Sequence, residues 1–206
     1  PVLLLISPGS IYAESQFTGP YIGAHIGYFE SDDKGKEYSD GEFSDYTEDT
    51  SPKGEFFGLT AGINAVFGNN ILVGIELDYD YRGKSDSSVQ DFEGVPDNDY
   101  PVKTDVKDTA SLKGKVGYLF NNDQTLAYVT AGYAIANIER EVVDNFSGEY
   151  ESESQSELNK GWTAGLGLSN FVSDNLSVYA EYRYTEMDEE KLDVSNLFPG
   201  TVEKYD

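Results

Sequence analysis

The amino-acid sequence predicts an all-β fold, an antiparallel up-and-down transmembrane β-barrel. Three observations predict it: apolar and polar residues alternate, short and long connections alternate, and no helical periodicity of useful length interrupts the pattern. The alternation is clearest in residues 75–82 (IELDYDYR), where an apolar residue precedes each charged one. Because successive side chains of a strand point to opposite faces, this segment has one apolar face and one charged face.

Similar alternation marks the predicted strands, which are residues 19–30, 54–67, 71–83, 106–120, 125–139, 160–172 and 175–187. Tight connections with the chemistry of β-hairpins lie at 68–70, 121–124 and 173–174. Long polar connections lie between these hairpins, at 31–53, 84–105 and 140–159, with a last one beginning near 188. Strict alternation places all the tight turns at one end of the strands and all the long loops at the other.

Two environments would produce such strands. A soluble sandwich buries the apolar faces in a core, whereas a transmembrane barrel turns them toward lipid. Strand length favours the barrel, because crossing a bilayer takes about 9–11 tilted residues and globular strands usually have about 5–6. The polar faces are rich in glycine, serine and threonine and carry both acids and bases, which suits a crowded lumen. Aromatic residues near the strand ends are typical of interfacial girdles: Tyr28, Tyr79, Tyr81, Tyr118, Tyr182 and Tyr184.

Composition excludes several classes of function. The chain has 206 residues, enough for one sizeable domain, and its 38 acidic and 14 basic residues give a net charge of −24. Such a surface repels nucleic-acid phosphates, so no nucleic-acid partner is expected. The chain has no cysteine, and His25 is its only histidine, so thiolate sites and sites with two imidazoles of one chain are excluded. We expect a monomer.

Residues 1–15 are interpreted as a truncated signal peptide, and residues 16–206 as the barrel domain. A short apolar run at 2–6 precedes Ala13-Glu14-Ser15, which is similar to a small-x-small cleavage site and places the mature start near Gln16. The run is too short for a membrane-spanning helix. A buried N-terminal strand is the alternative interpretation.

Five short motifs occur in a characteristic order and spacing: 17–24 (FTGPYIGA), 58–64 (GLTAGIN), 112–118 (LKGKVGY), 128–134 (YVTAGYA) and 161–167 (GWTAGLG). In this the chain resembles the small outer-membrane β-barrels of Gram-negative bacteria, the opacity-protein-like, OmpA-like "porin family". The resemblance implies a place in the cell outer membrane, eight strands, periplasmic tight turns and extracellular long loops. Only seven strands are visible in the sequence, which ends at residue 206, so we expect the domain to lack its closing C-terminal strand.

Charged residues on the polar faces form the candidate site, a polar and ionic cluster in the lumen. Its members are His25, Glu76, Asp78, Lys113, Lys115, Glu181 and Arg183. Because a buried charge without a partner costs several kcal/mol, we expect Glu76 and Glu181 to pair with these bases across the lumen and to plug it. Asp80 and Arg82 lie on the same face nearest the loop end, where we expect them to reach water.

Catalytic interpretations have little support in the sequence. His25 and Ser177 both fall on polar faces and would allow a Ser–His pair of the barrel-deacylase type, but filling of a polar lumen is the preferred interpretation. An omptin-like aspartyl protease needs more strands and a further histidine. The segment Asp97-Asn98-Asp99 lacks the glycine and the distal glutamate of an EF-hand. We therefore expect no enzyme, no cofactor and no metal site.

The predicted function is that of a structural and surface-contact barrel, since an eight-stranded interior is only wide enough for side chains. Two alternatives are left open: a narrow porin-like channel for ions or small hydrophilic solutes, and a soluble exported lipocalin-like barrel with the pattern reversed. The long loops hold about half of the 38 acidic residues, so we expect them to repel one another and to be mobile. Expected partners are outer-membrane lipid and lipopolysaccharide and, at the loops, divalent cations or basic surface partners. Loops that merely solubilise are the plainer alternative.

Overall fold

The computed structural model describes residues 3–6, 15–39, 42–68, 70–92, 95–144, 151–188, 190–193 and 201–205. This part of the chain consists of β-strands and short connections. The strands are β1 (Leu3–Ile6), β2 (Gly19–Glu30), β3 (Asp33–Ser39), β4 (Glu42–Thr50), β5 (Lys53–Phe67), β6 (Ile71–Phe92), β7 (Val95–Phe120), β8 (Thr125–Asp144), β9 (Glu151–Ser173), β10 (Leu176–Met187), β11 (Glu190–Asp193) and β12 (Thr201–Tyr205). None of the described residues belongs to an apolar helix of membrane-spanning length.

Seven strands of the described chain form a continuous antiparallel sheet in the order β2, β5, β6, β7, β8, β9, β10. The sheet curls around a common interior, because the Tyr179 hydroxyl of β10 lies 3.4 Å from Nδ1 of His25 on β2. The predicted antiparallel all-β fold is therefore confirmed. Among the described residues β2 pairs only with β5, and β1 pairs with the first residues of β10. The interpretation of residues 1–15 as a signal peptide stays a prediction.

The tight turns have the backbone that their sequences predict. Asn70 has a φ of 65°, and Asn121, Asn122 and Asp123 have φ values of 56°, 54° and 61°. Asparagine and aspartate tolerate this left-handed region better than other non-glycine residues, because their short polar side chains hydrogen-bond locally. These turns fix the β5–β6 and β7–β8 hairpins at one end of the sheet.

The long connections differ from the prediction, because much of their length is paired strand. Strands β6 and β7 stay paired as far as Phe92 and Val95, and β8 and β9 as far as Asp144 and Glu151. Strands β3 and β4 pair within the first predicted loop, and β12 joins β3 to β11. The prediction of long polar loops was wrong because a polar, charged composition does not exclude strand pairing. Outside the bilayer a strand needs only backbone partners, and no apolar face.

A bulge separates the two halves of the long strands. Between the pairs Tyr81–Asp108 and Lys84–Val106, β6 contains two residues and β7 only one. Gly83 has a φ of 54°, which a glycine adopts without strain. Lys107, the residue opposite, is skipped in the pairing with β8 and binds Glu139 through its ammonium group.

The outer face is apolar and the inner face is polar. Outward side chains include Ile22, Leu59, Ile63, Ile75, Leu77, Leu112, Val116, Val129 and Leu166, all of them exposed. Buried inward ones include Thr60, Asn64, Glu76, Asp78, Thr109, Ser111 and Lys113. The six tyrosines predicted as girdles are 48–65% exposed on the outer face. This arrangement is that of a lipid-facing barrel, and it contradicts the lipocalin-like alternative, which requires an apolar interior.

Candidate functional site: an ionic cluster inside the barrel

Alternate residues of four strands carry charged groups into the interior. They are His25 of β2, Glu76, Asp78, Asp80 and Arg82 of β6, Lys113 and Lys115 of β7, and Glu181 and Arg183 of β10, and we call them the ionic cluster. Pairing register brings some of them side by side, since Glu76 lies opposite Lys113 across the β6–β7 pair. All seven residues of the predicted lumen site belong to this set.

Lys113 lies at the centre of the cluster. Its Nζ is 2.7 Å from Asp78 Oδ2, 2.9 Å from Glu76 Oε1 and 3.1 Å from Glu181 Oε1. The residue is 1% exposed, so these three carboxylates replace the water that its ammonium group has lost. The contacts join β6, β7 and β10 across the lumen.

Lys115 and Tyr21 extend the cluster toward the turn end. Lys115 Nζ pairs with Glu76 Oε2 and donates to the Tyr21 hydroxyl oxygen at 2.9 Å. The Tyr21 hydroxyl in turn donates to Glu76 Oε2. Lys115 Nζ also lies 4.7 Å from the centre of the Tyr128 ring, a distance at which a cation–π attraction operates.

Arg183 reaches three carboxylates from β10. Its Nη1 is 2.9 Å from Asp80 Oδ2, its Nε is 3.2 Å from Glu181 Oε1, and its Nη2 is 3.6 Å from Asp78 Oδ2. The guanidinium group carries donors on all its nitrogens, so it can satisfy several acids from one position. Arg183 therefore connects the loop-side part of the cluster to its centre.

Asp80 is buried, which contradicts the expectation that it reaches water. The residue is 1% exposed, and its Oδ1 lies 2.5 Å from His25 Nε2. Arg82 covers it from the loop side, with Nη2 3.8 Å from Asp80 Oδ2 and the guanidinium carbon 4.7 Å from the centre of the Phe29 ring. Inward aromatic residues at the loop end therefore keep water from this carboxylate.

The charges of the cluster balance. Four carboxylates, Glu76, Asp78, Asp80 and Glu181, face the four bases Arg82, Lys113, Lys115 and Arg183. Buried ions are tolerated only when paired and hydrogen-bonded, and here each one has an oppositely charged partner. The four acids and the four lysine and arginine groups therefore compensate one another's charge inside the barrel.

Glycines on the inner face make room for the rings of this site. A Cβ at Gly62 would lie 2.5 Å from the Tyr21 hydroxyl, and one at Gly58 would overlap the His25 imidazole. Each glycine is the cross-strand partner of the residue that it accommodates, Tyr21 with Gly62 and His25 with Gly58. Small residues at these two positions are therefore part of the site.

A second layer of the interior is apolar, and sequence reasoning missed it. It lies at the turn end and consists of Phe17, Val66, Leu72, Leu119, Leu126, Tyr128 and Phe171, which we call the apolar layer. Between it and the ionic cluster is a cavity of about 30 Å³, lined among others by Phe17, Tyr21, Asn64 and Lys115. The only available signal was a break in alternation, since Leu72 and Leu119 each stand between two further apolar or aromatic residues.

The catalytic pair considered from the sequence does not form. His25 hydrogen-bonds to Asp80 and Tyr179, whereas Ser177 lies beside the cavity near the turn end. The backbone of Asp97 belongs to β7, paired with Gln90, and not to a loop. Among the residues that the structure describes, no group of histidine and carboxylate side chains is arranged to hold a metal ion.

Comparison with known proteins places the chain in a family. The model of the outer membrane protein beta-barrel domain matches residues 2–198. A 22 kDa outer membrane protein of Rhizobium leguminosarum bv. viciae is 34% identical over 126 residues, which are 61% of this chain and half the length of that protein. A 31 kDa outer-membrane immunogenic protein of Brucella melitensis is 26% identical over 193 residues, covering 88% of this chain and 76% of the relative.

A solved structure was also found, that of Ail, the attachment invasion locus protein of Yersinia pestis. It has 15% sequence identity and a TM-score of 0.38, covering 91% of this chain and 93% of that one. The family match spans nearly all of the sequence, and the outward apolar strands agree with it. The chain therefore belongs to the outer membrane protein beta-barrel domain family and is an outer-membrane protein of the Gram-negative type.

Proposed function

We propose that this protein is a structural and surface-contact barrel whose lumen is closed, and not a pore or an enzyme. The observation that carries the proposal is the ionic cluster. Lys113 and Arg183 each contact carboxylates from more than one strand, so side chains occupy the path that a solute would take. A barrel of about eight strands has an interior that side chains can fill completely.

A narrow channel is the competing function. To conduct, the cluster would have to exchange its ion pairs for water, and each buried ion left unpaired costs several kcal/mol. Because acids and bases are balanced, the interior offers no site of one sign that would draw ions in. These considerations favour a barrel that is closed for most of the time.

Planar-bilayer recording of the full-length protein tests the proposal. We expect no steady conductance from the wild-type protein, and we expect Arg183→Ala to raise the fraction of time spent open, because Asp80 and Glu181 then lose a partner. Lys160→Ala is the matched control, since Lys160 is an exposed base of β9 outside the cluster. Large and steady wild-type conductance would overturn the closed barrel in favour of the channel.

A non-enzymatic role agrees with the relatives, which are named as outer-membrane or outer-membrane immunogenic proteins. The buried pair of His25 and Asp80 contacts Tyr179, and no serine hydroxyl is hydrogen-bonded to this imidazole in the described structure. A histidine held between a carboxylate and a phenol, without a nucleophile beside it, is better suited to filling the lumen than to acyl transfer.

The surface-contact part of the proposal concerns the acidic segments beyond the bulge. These segments are rich in carboxylates, and strands β4, β3, β12 and β11 add in that order to the outer part of β6, near Asp91 and Phe92. We propose weak, salt-sensitive contact with divalent cations or basic partners. Limited proteolysis of the reconstituted protein with and without millimolar calcium tests it, and identical cleavage in both would leave only a solubilising role.

A further inference from the structure

The apolar layer contains one side chain that does not come from the barrel wall. In the described cluster, Val66, Leu72, Leu119, Leu126, Tyr128 and Phe171 project from strands β5 to β9, whereas Phe17 precedes β2. Phe17 is 8% exposed, and its ring packs edge-on against that of Phe171, with centroids 4.5 Å apart. A residue outside the wall therefore occupies the mouth of the lumen.

The chain makes a short turn at Phe17, directly before β2. Thr18 N donates to the Ser15 carbonyl oxygen at 3.1 Å, and Phe17 N donates to Ser15 Oγ at 3.3 Å. The segment also lines the cavity of about 30 Å³, together with Lys115, Ser177 and Tyr179. Residues 16–18 thus lie at the turn end of the barrel, beside side chains of β7, β9 and β10.

The wall does not depend on this segment. Leu72 pairs with Gly117 and Leu119 with Leu126 through the strand ladders. The Phe17 side chain fills space between strands whose backbone groups are already paired. Loss of the Phe17 ring would therefore leave the ladders intact and open a gap in the layer.

An apolar constriction blocks ions by a different mechanism from an ion-pair plug, because ions cross it only after water has entered. We infer that Phe17, in the segment 16–18 that precedes β2, forms a second closure at the turn end, in series with the ionic cluster. This inference rests on the closed barrel proposed above. It adds that opening the ionic cluster alone does not give a continuous aqueous path.

Phe17 and Arg183 share no contact partner, so their substitutions can be tested separately. Phe17 packs against Phe171, and Arg183 contacts Asp78, Asp80 and Glu181. Independent closures in series multiply, so the effects of two substitutions on the fraction of time open should multiply as well. If Phe17→Ala and Arg183→Ala each raise that fraction about tenfold, the double variant should raise it about a hundredfold.

Planar-bilayer recording of four proteins tests the inference: wild type, Phe17→Ala, Arg183→Ala and the double variant. Phe67→Ala is the matched control, because Phe67 ends β5 at the same end of the barrel but is 58% exposed on the outer face. Phe17→Leu should restore closure, since leucine refills the gap. A double variant that conducts no more than Arg183→Ala overturns the inference and leaves the closed barrel standing. Steady wild-type conductance overturns the closed barrel itself.

A labelling experiment gives a readout that does not depend on the ionic cluster. The chain has no cysteine, so Leu119→Cys places a single thiol in the apolar layer that contains Phe17, at a position that is fully buried. We expect a water-soluble thiol reagent to modify it about tenfold faster when Phe17→Ala is also present, since the gap admits the reagent. Circular dichroism confirms that both proteins are folded. Equal labelling rates would overturn the inference.

Discussion

The ionic cluster and the apolar layer fill the same interior by different means. In the cluster, Lys113 needs three carboxylates at hydrogen-bonding distance, and Arg183 reaches three more contacts from the opposite side. In the apolar layer, Leu72 and Leu119 are fully buried and require only that neighbouring side chains fill the volume. The cluster therefore depends on oppositely charged partners, whereas the layer depends on close packing.

This difference explains why the middle of the barrel is charged. On β7, Lys113 and Lys115 alternate with the outward residues Leu112 and Val116, so a slip of one residue would turn both lysines toward lipid. Each lysine would then cost about 2–4 kcal/mol near the bilayer midplane. At the turn end, by contrast, Leu119 lies between Tyr118 and Phe120, and a slip exchanges one apolar side chain for another. The cluster thus specifies the strand register, whereas the apolar layer does not specify it.

Removing the charge of Lys113 should have the largest effect on the stability of the barrel. Lys113→Met leaves Glu76, Asp78 and Glu181 without their common partner, and we expect the free energy of unfolding to fall by about 3–5 kcal/mol. Urea titration of the protein folded into lipid vesicles measures it. Lys160→Met, at an exposed position of β9, serves as the control. A loss no greater than that of the control would mean that the cluster does not hold the barrel together.

A truncation in the apolar layer should cost somewhat less and should not depend on salt. We expect Leu119→Ala to lower the free energy of unfolding by about 2–4 kcal/mol, because it leaves a cavity among packed side chains. The neighbouring Phe120→Ala, on the outer face, tests whether the effect belongs to the interior. The same urea titration at low and high salt measures both variants. A marked salt dependence for Leu119→Ala would contradict closure by packing alone.

A methyl group added at an inward glycine should have the smallest effect on stability, and it tests whether these glycines are needed to accommodate the rings. Gly62→Ala places a Cβ against the Tyr21 hydroxyl, which binds Glu76 and Lys115, and we expect a loss of about 1–3 kcal/mol in the free energy of unfolding. A Cβ at Gly68 meets nothing within 4 Å, so Gly68→Ala is the matched control. Equal stability of the two variants would show that the Tyr21 ring moves aside without cost.

Strand positions and faces were predictable where charge and apolar residues alternate. In residues 75–82 the cost of exposing a charge to lipid leaves a single acceptable register, and that register is the one found. The apolar layer was not predictable in this way, because Ile71, Leu72 and Val73 give no signal of which side chain turns inward. Asp80 is covered by Arg82, which packs on Phe29 of β2, a contact between distant parts of the chain that no local pattern reports.

In the segments beyond the bilayer, composition predicts loops where the structure has paired strands. Their many charges indicated loops, yet pairs such as Ser87–Lys103 and Glu141–Ser154 continue the ladders. In water the backbone partners of a strand are sufficient, so composition carries little information there about pairing. Alternation of apolar and polar residues identifies a strand inside a bilayer because one face contacts lipid, and this reason no longer applies where the strand is surrounded by water.

The bulge at Gly83 and Lys107 has a consequence for how such a protein can change over time. An unpaired extra residue absorbs a difference in length between neighbouring strands. Insertions or deletions on the far side of Gly83 can therefore alter the outer hairpin without shifting Glu76 or Lys113 by one position. The outer hairpin is free to diversify, and the bulge makes it a natural place to graft foreign segments onto a barrel whose interior must not move.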